Sequence, residues 1–246
     1  MPISKAQIKE ISALNRRKTR EELGLFIAEG EKVIEELIHS NVEVLSIWAT
    51  ELGFEKRPEW SPKMDLVSGN DMERMTHLNS PSPFLALARI PQMQKPFLPK
   101  ILFLDRIQDP GNMGALIRIA DWFGWSLVAQ PGSVDFWNPK VVMASMGSIF
   151  RVQPQELTHE KLAKQLPSDT TWIGTDMRGL PLDQFPAPER LVLVMGSEAQ
   201  GMSIEVENAC KTIVTIPGGG STESLNVSVA AGILCYGLTS QTPRSR

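Results

Sequence analysis

The sequence is poor in the residues that build disulfide frameworks and metal sites. Among 246 residues there are only two cysteines, Cys210 and Cys235, and three histidines, His39, His77 and His159, which are scattered without ligand spacing. Both cysteines lie in apolar surroundings of helical pattern, so we interpret them as small core residues. The sequence therefore predicts neither a disulfide nor a bound metal.

Long apolar runs are also missing. No stretch approaches the roughly 20 apolar residues that a membrane helix needs, and residues 1–5 lack the apolar core of a signal peptide. With 42% hydrophobic and 22% charged residues, the composition is that of a soluble globular protein, which we expect in the cytoplasm. The net charge of −3 means that any RNA partner needs a local basic patch.

Several motifs of nucleotide and acyl chemistry are absent. The glycines at 218–220 are not followed by the Gly-Lys-Ser/Thr of a P-loop, and the chain has no Gly-x-Gly-x-x-Gly dinucleotide fingerprint. Ser145 and Ser148 lack the Gly-x-Ser-x-Gly frame of a hydrolase nucleophile elbow. These absences argue against three common classes of α/β enzyme.

Apolar segments of strand length alternate with segments of helical spacing along the chain. In residues 1–90 this alternation predicts a small α/β domain, and the prolines of residues 91–99 predict a linker. From residue 100 to 246 it predicts a mostly parallel sheet with helices on both faces. The predicted strands of this second domain are 101–104, 126–129, 149–152, 171–175, 191–195 and 212–216. The predicted helices are 113–123, 140–146, 156–165, 204–210 and 225–238.

A basic stretch near the N-terminus is the densest positive charge in the chain. It follows a predicted helix over residues 4–14. This stretch could be the solvated end of a helix. It could also bind phosphates, because the rest of the protein is acidic and positive charge is concentrated here. The candidate RNA-binding residues are Lys5, Lys9, Arg16, Arg17, Lys18 and Arg20.

Three polar clusters, residues 105–118, 196–203 and 216–230, directly follow predicted strands. Ligands of parallel sheets bind beyond the carboxyl ends of the strands, so we expect the clusters to meet at one edge. In the first, Asn112 is expected to cap the next helix. Arg118, one turn after Gly114, is either a surface arginine or a side chain that leans back toward the ligand edge.

The other two clusters leave similar alternatives open. Glu198 could be a general base, a ligand clamp or a loop hydrogen-bond acceptor. The glycines at 218–220 allow close approach of a ligand to the backbone. Ser224 or Asn226 could instead simply cap the buried helix that follows.

Taken together, the clusters resemble the three motifs of the SpoU (TrmH) family of RNA ribose 2′-O-methyltransferases, within the SPOUT superfamily. The ordered trio is far more specific than any one motif, although Gly218 stands where the family commonly carries methionine. Residues 20–30 resemble, more loosely, the start of the family's substrate-binding domain. The motifs in this chain are Asn112-x-Gly114-x-x-x-Arg118, Met195-Gly196-Ser197-Glu198-x-x-Gly201 and residues 216–230 with Glu223-Ser224-Leu225-Asn226-Val227-Ser228.

The resemblance implies a trefoil-knotted fold, a homodimer, bound S-adenosylmethionine and methyl transfer to a ribose 2′-hydroxyl. Ribosomal RNA is favoured as substrate, with transfer RNA as the alternative. We expect Arg118 to bind the neighbouring phosphate and orient the hydroxyl, whereas the family proposal lets this arginine help to activate it. The implied cofactor-binding residues are Thr175, Gly196, Ile216 and Leu225, and the implied catalytic residues are Arg118, Asn112, Glu198, Ser224 and Asn226.

Two rival interpretations stay open at this point. The chain could be a catalytically silent RNA-binding protein on the same fold. It could also be an unrelated α/β enzyme that uses a nucleotide at the sheet edge. Cofactor binding separates all three, because only the methyltransferase binds S-adenosylmethionine and transfers its methyl group.

Overall fold

The protein is represented by a computed structural model, which describes residues 3–78, 80–92, 95–221 and 224–240. The described chain forms two compact units, one of residues 3–92 with 135–151 and one of residues 95–134 with 152–240. Segment 135–151, which the sequence places inside the second domain, thus packs with the first unit. The cause is aromatic packing, because the Phe26 ring lies 4.6 Å from that of Trp137 and 6.1 Å from that of Phe150.

The first unit contains a four-stranded sheet in the order β1-β4-β2-β3. Strand β4 is antiparallel to β1 and β2, and β3 is parallel to β2. The strands are β1 (Leu25–Glu29), β2 (Val44–Ala49), β3 (Asp65–Leu66) and β4 (Phe84–Arg89). The helices are α1 (Lys5–Ala13), α2 (Arg17–Leu23), α3 (Glu31–Ile38), α4 (Glu51–Lys56) and α5 (Gly69–Met75), with a 3-10 turn at Pro58–Lys63.

The start of helix α1 follows from its capping residues. The Ser4 hydroxyl accepts from the Gln7 amide at 3.2 Å, while the Gln7 side chain accepts from the Ser4 amide at 2.9 Å. This capping box satisfies donors that a helix start leaves open. Ile8 and Ile11 then bury one face of α1 in the core of the first unit, as the predicted helix over residues 4–14 requires.

The second unit contains a six-stranded sheet in the order β10-β8-β9-β5-β6-β7, and all its pairings are parallel. The strands are β5 (Lys100–Leu104), β6 (Ser126–Ala129), β7 (Gln155–Glu156), β8 (Thr171–Pro181), β9 (Leu191–Met195) and β10 (Thr212–Thr215). The remaining helices are α6 (Pro110–Phe123), α7 (Pro139–Ala144), α8 (Ser148–Val152), α9 (His159–Ala163), α10 (Ile204–Ala209) and α11 (Val227–Ser240), with a 3-10 turn at Leu182–Gln184.

This architecture confirms the predicted fold class, a parallel sheet flanked by helices and preceded by a small α/β unit. One predicted strand is wrong, because residues 149–152 belong to helix α8 and the extra strand is β7. Short apolar runs fit a strand and a buried helix equally well. The trefoil knot stays a prediction from the resemblance.

The register of the parallel strands aligns their carboxyl ends. Leu104 pairs with Met195 across β5 and β9, and Ile173 pairs with Leu193 across β8 and β9. The residues that follow these strands therefore lie at one edge of the second unit's sheet. Apolar side chains beneath that edge, Phe103 and Trp172 among them, form its core and hold the strand ends in place.

Candidate functional site

One oxygen atom joins the three polar clusters at the carboxyl edge. Oε1 of Glu198 accepts hydrogen bonds from Nδ2 of Asn112 at 3.2 Å and from Nδ2 of Asn226 at 2.7 Å. It also accepts from the backbone amide of Val227 at 3.1 Å. The Asn226 Nδ2 lies 2.9 Å from Oδ1 of Asn112, so the two amides also bind each other. The structure thus brings Asn112, Glu198 and Asn226 together.

Asn226 is also the capping residue of helix α11. Its Oδ1 accepts from the backbone amides of Ser228 at 3.0 Å and Val229 at 3.3 Å. These amides belong to the first turn, where a side-chain acceptor replaces the missing helical partner. Glu198 adds a negative charge at the same helix N-terminus, which the helix dipole favours. Ser224 is exposed and makes no hydrogen bond within the described residues.

Asn112 does not cap helix α6, contrary to the expectation from sequence. The capping residue is Asp109, whose Oδ1 accepts from the Asn112 amide at 2.8 Å. Pro110 occupies the first helical position, where its missing N–H is not needed. The helix therefore begins earlier than predicted, and the Asn112 side chain is free to reach Glu198.

Asp105 and Arg106 lie at the base of the site and were not singled out from the sequence. Asp105 is fully buried, and its carboxylate accepts from the Ser203 amide at 2.6 Å and from Nε2 of Gln130 at 3.3 Å. Arg106 has a φ of 58°, and its Nη1 donates to Oε1 of Gln200 at 3.2 Å. The sequence feature that could have indicated them is a pair of opposite charges directly after the apolar strand β5.

A cleft of about 410 Å³ lies at this carboxyl edge, and Arg106, Asn112 and Glu198 are among the residues that line it. Its walls come from the loop after β5, the start of α6, the loop after β9 and Val227. Arg118 is not among the residues that line it. Arg118 lies exposed on α6 and has no hydrogen bond or ion pair with any residue of the described chain. A single chain therefore assembles the asparagine–glutamate network without Arg118.

Three of the predicted cofactor-binding residues, Gly196, Ile216 and Leu225, lie in loops, whereas Thr175 lies within strand β8. Thr175 donates its hydroxyl proton to the Val194 carbonyl at 2.9 Å, which ties β8 to β9. A Cβ at Gly196 would overlap the backbone of Gly201 and Met202, because Ser197 and Gly201 exchange two backbone hydrogen bonds at 3.1 and 2.9 Å. Only glycine allows this turn.

Unlike the turn at Gly196, the loop after β10 is not closely packed. A Cβ on any of the glycines 218–220 would meet no atom within 4 Å, and the neighbouring Leu225 is 47% exposed. Ile216 is half-buried. Accessible backbone beside apolar side chains fits S-adenosylmethionine, which has a flat adenine and many polar groups. Thr222 and Glu223 of the third motif lie outside the described residues.

The prediction that Arg20 binds RNA is wrong. Its side chain is 2% exposed, and it donates to Asp135 at 2.9 and 2.5 Å. It also donates to the carbonyls of Leu14 at 2.6 Å and Asn15 at 2.9 Å. Every contact lies inside the first unit, so this arginine stabilises the fold.

The other candidate RNA-binding residues stay on the surface. Lys5 and Lys9 lie four residues apart on α1, so they share one helix face, and both are exposed. Arg16 is exposed at the start of α2. Two further cations face carboxylates one turn away, Arg17 with Glu21 at 2.6 Å and Lys18 with Glu22 at 3.8 Å.

Other chemistries find little support among the described residues. Burial raises the pKa of the Cys210 thiol to about 12 and also raises that of Cys235, so both stay protonated at neutral pH. In this part of the chain, no three His, Cys, Asp or Glu side chains are grouped to hold a metal ion. None of its helices has the length and apolar character needed to span a bilayer.

Comparison with known proteins matches both parts of the chain. Residues 99–236 match the model of the SpoU rRNA Methylase family, and residues 5–86 match that of the MRM3-like substrate binding domain. A curated relative from Bacillus subtilis, the 23S rRNA (guanosine(2553)-2′-O)-methyltransferase RlmP, is 28% identical over 94% of this chain and 95% of its own.

Solved structures extend the similarity to the whole fold. A protein of Porphyromonas gingivalis, assigned to the TrmH family of RNA methyltransferases, is 32% identical. It superposes with a TM-score of 0.85 over 98% of this chain and 99% of its own. An AdoMet-bound rRNA methyltransferase from Sinorhizobium meliloti, 22% identical, has the same fold, with a TM-score of 0.83 over 99% of both chains.

The family model covers more than half of the chain, and its matched region contains all three motifs joined at Glu198. The chain therefore belongs to the SpoU rRNA methylase family and is an S-adenosylmethionine-dependent RNA methyltransferase.

Proposed function

We propose that this protein methylates a ribose 2′-hydroxyl of ribosomal RNA, in the cytoplasm. The observation that carries the proposal is the hydrogen-bonded trio of Asn112, Glu198 and Asn226, which joins the three motifs at one cleft. The Bacillus subtilis relative is named as a 2′-O-methyltransferase of 23S rRNA and spans nearly the same length. The match of residues 5–86 to a substrate-binding domain further supports a large structured RNA.

The asparagine–glutamate trio would act by holding the substrate loops. Oε1 of Glu198 already accepts three donors, so this oxygen fixes the start of α11 against α6. Glu198 lines the cleft, and among the described residues its Oε2 has no hydrogen-bond partner, so this oxygen would accept from a ribose hydroxyl. Ser224, exposed beside this loop, would contact the same nucleotide.

Arg118 would bind the phosphate next to the target ribose and orient the 2′-hydroxyl for in-line attack. A guanidinium stays protonated in proteins, so we assign it this role rather than proton removal. The phosphate oxygen could then take the hydroxyl proton. When bound along Thr175, Gly196, Ile216 and Leu225, S-adenosylmethionine supplies an electrophilic methyl group. Correct placement of the hydroxyl accounts for much of the rate in such a transfer.

We further propose a homodimer in which α6 and α11 face a second copy. Large side chains on these neighbouring helices are exposed: 84% of Trp122, 51% of Val229, 40% of Ile233 and 66% of Tyr236. Exposed apolar patches of this kind mark interaction surfaces. Arg118 lies one helical turn before Trp122, so a second copy would also enclose Arg118. Light scattering should report a dimer that Tyr236→Glu weakens, and a monomeric wild type would contradict the proposal.

The basic side chains of the first unit would contact RNA phosphates. Lys5, Lys9 and Arg16 are exposed cations, and Arg17 and Lys18 add weaker attraction because carboxylates face them. Each phosphate contact should add about 0.7–0.9 to the slope of log affinity against log salt. Lys9→Ala should therefore reduce this slope without altering stability.

The testing experiment is labelled methyl transfer from S-adenosylmethionine to size-fractionated RNA from cells that lack this protein. We expect label in the ribosomal fraction, and none with Arg118→Ala. Label in transfer RNA alone would favour the alternative substrate. RNA binding without cofactor binding would favour a catalytically silent protein. Near-full activity of Arg118→Lys would contradict the fork-shaped phosphate contact, because lysine offers only a point charge.

A further inference from the structure

We propose that Arg106 is a second phosphate-binding arginine of this enzyme, which holds an RNA phosphate at the wall of the cleft. The inference rests on the proposed function and names a residue outside the three motifs. It is carried by the backbone conformation of Arg106, by the partners of its guanidinium and by the charges that line the cleft.

The backbone of Arg106 is held in a conformation that disfavours side chains. Its φ of 58° lies in the left-handed region, which is strained for a residue with a Cβ. Both neighbours are anchored, since the Asp105 amide donates to the Met195 carbonyl at 2.9 Å and the Ile107 amide donates to Oγ of Ser133 at 3.2 Å. The anchored backbone aims the long side chain in one direction.

The Arg106 guanidinium is only partly used by the protein. Its Nε is buried without a hydrogen bond, 3.6 Å from Oδ1 of Asp105. The buried Asp105 carboxylate already accepts from Ser203 and Gln130. The one hydrogen bond that Arg106 makes within the described chain runs from Nη1 to the neutral amide of Gln200. Nη2 is left to bind a ligand.

Arg57, in the first unit, shows how a structural arginine of this chain is matched. Arg57 lies 2.6, 2.8 and 3.1 Å from the carboxylates of Glu31, Glu35 and Glu59. Arg106 has a single acidic neighbour beyond hydrogen-bond distance and a side chain that is 35% exposed. The Arg106 guanidinium can therefore still bind an anionic ligand, whereas that of Arg57 is already paired with carboxylates.

The charges of the cleft point to the kind of ligand. Among the described residues that line it, Arg106 is the only cation, and Asp109 and Glu198 are the carboxylates. An RNA backbone would be repelled by these carboxylates unless a cation received its phosphate. A guanidinium matches two phosphate oxygens with two parallel N–H donors, which suits it to this role.

The test distinguishes loss of the Arg106 guanidinium from any effect of its strained backbone on folding. Arg106→Gly relieves the left-handed strain, so folding and binding of S-adenosylmethionine should be kept. The KM for RNA should rise roughly 10-fold or more, as expected for loss of charge-assisted hydrogen bonds, with a smaller change in kcat. The slope of log RNA affinity against log salt should fall by about 0.7–0.9, the contribution of one phosphate.

Arg190→Ala is the matched control. Arg190 is an exposed arginine beside Asp169 that precedes β9 at the amino end of the same sheet, so its loss should leave both KM and the salt slope unchanged. Wild-type KM and slope in Arg106→Gly would overturn the proposal, and so would loss of S-adenosylmethionine binding in that variant. The salt slope is measured without methyl transfer, so inactivity of the wild-type protein would count against the proposed function alone.

Discussion

Replacing Glu198 by alanine removes one oxygen atom on which three donors converge. The Val227 amide is the donor that matters most for stability, because Val227 is only 5% exposed. A buried donor left without a partner costs about 1–3 kcal/mol. The amides of Asn112 and Asn226 can turn to water, so each adds roughly 0.5 kcal/mol at most. We therefore expect Glu198→Ala to lower the free energy of unfolding of the second unit by about 1–4 kcal/mol.

Glu198→Gln is the informative partner variant. It keeps an acceptor oxygen for Val227 but loses the negative charge at the start of α11, which is worth about 0.3–1 kcal/mol. In urea denaturation, Glu198→Ala should therefore be less stable than Glu198→Gln. Amide hydrogen exchange at Val227 should speed up only in the alanine variant. Methyl transfer should fall in both. Unchanged unfolding and unchanged exchange at Val227 in Glu198→Ala would refute the idea that this oxygen joins the motifs.

Two further predictions concern the first unit. Arg20→Ala should lower its free energy of unfolding by about 3–5 kcal/mol, because the variant leaves Asp135 uncompensated; weakened RNA binding with unchanged stability would contradict this. Burial, with a smaller contribution from repulsion by Arg20, lowers the pKa of His77 in the fold below its ordinary 6.5. The stability from neutral His77 is therefore present above pH 6.5 and is lost as the pH falls through the lowered value. His77→Gln should flatten the loss of stability below that pH in titrated denaturation, and an identical pH profile would contradict the assignment. Burial raises the pKa of the adjacent Glu29, whose titration acts in the opposite direction, so the comparison of wild type with variant isolates His77.

The pattern of strands and helices was largely readable from the sequence, because buried parallel strands are short, apolar and separated by helical periodicity. Helices α2 and α4 escaped prediction, since α2 is a run of charged residues with little apolar periodicity. The sequence also could not predict that segment 135–151 packs with the first unit. Its apolar residues predict burial but not the partner they bury against, and Phe26 lies far away in the sequence.

The site was readable where motif residues directly follow strands, as with Asn112, Glu198 and Asn226. The sequence could not distinguish which residue caps α6, because Asp109 and Asn112 are both good capping residues. It also could not reveal that Arg20 is buried, since charge runs are usually exposed and its partner Asp135 is distant in the chain. Arg106 was hidden for a different reason. Only its φ and its unmatched guanidinium distinguish it from an ordinary surface arginine.

The most direct test of the central claim is the chemical position of the transferred methyl group. RNA labelled by this protein from S-adenosylmethionine should be hydrolysed with alkali and its products separated. A ribose 2′-O-methyl group removes the hydroxyl that attacks the neighbouring phosphodiester, so the account predicts label in alkali-resistant dinucleotides. Label recovered in mononucleotides would mean that a base is methylated, and it would contradict the proposed reaction.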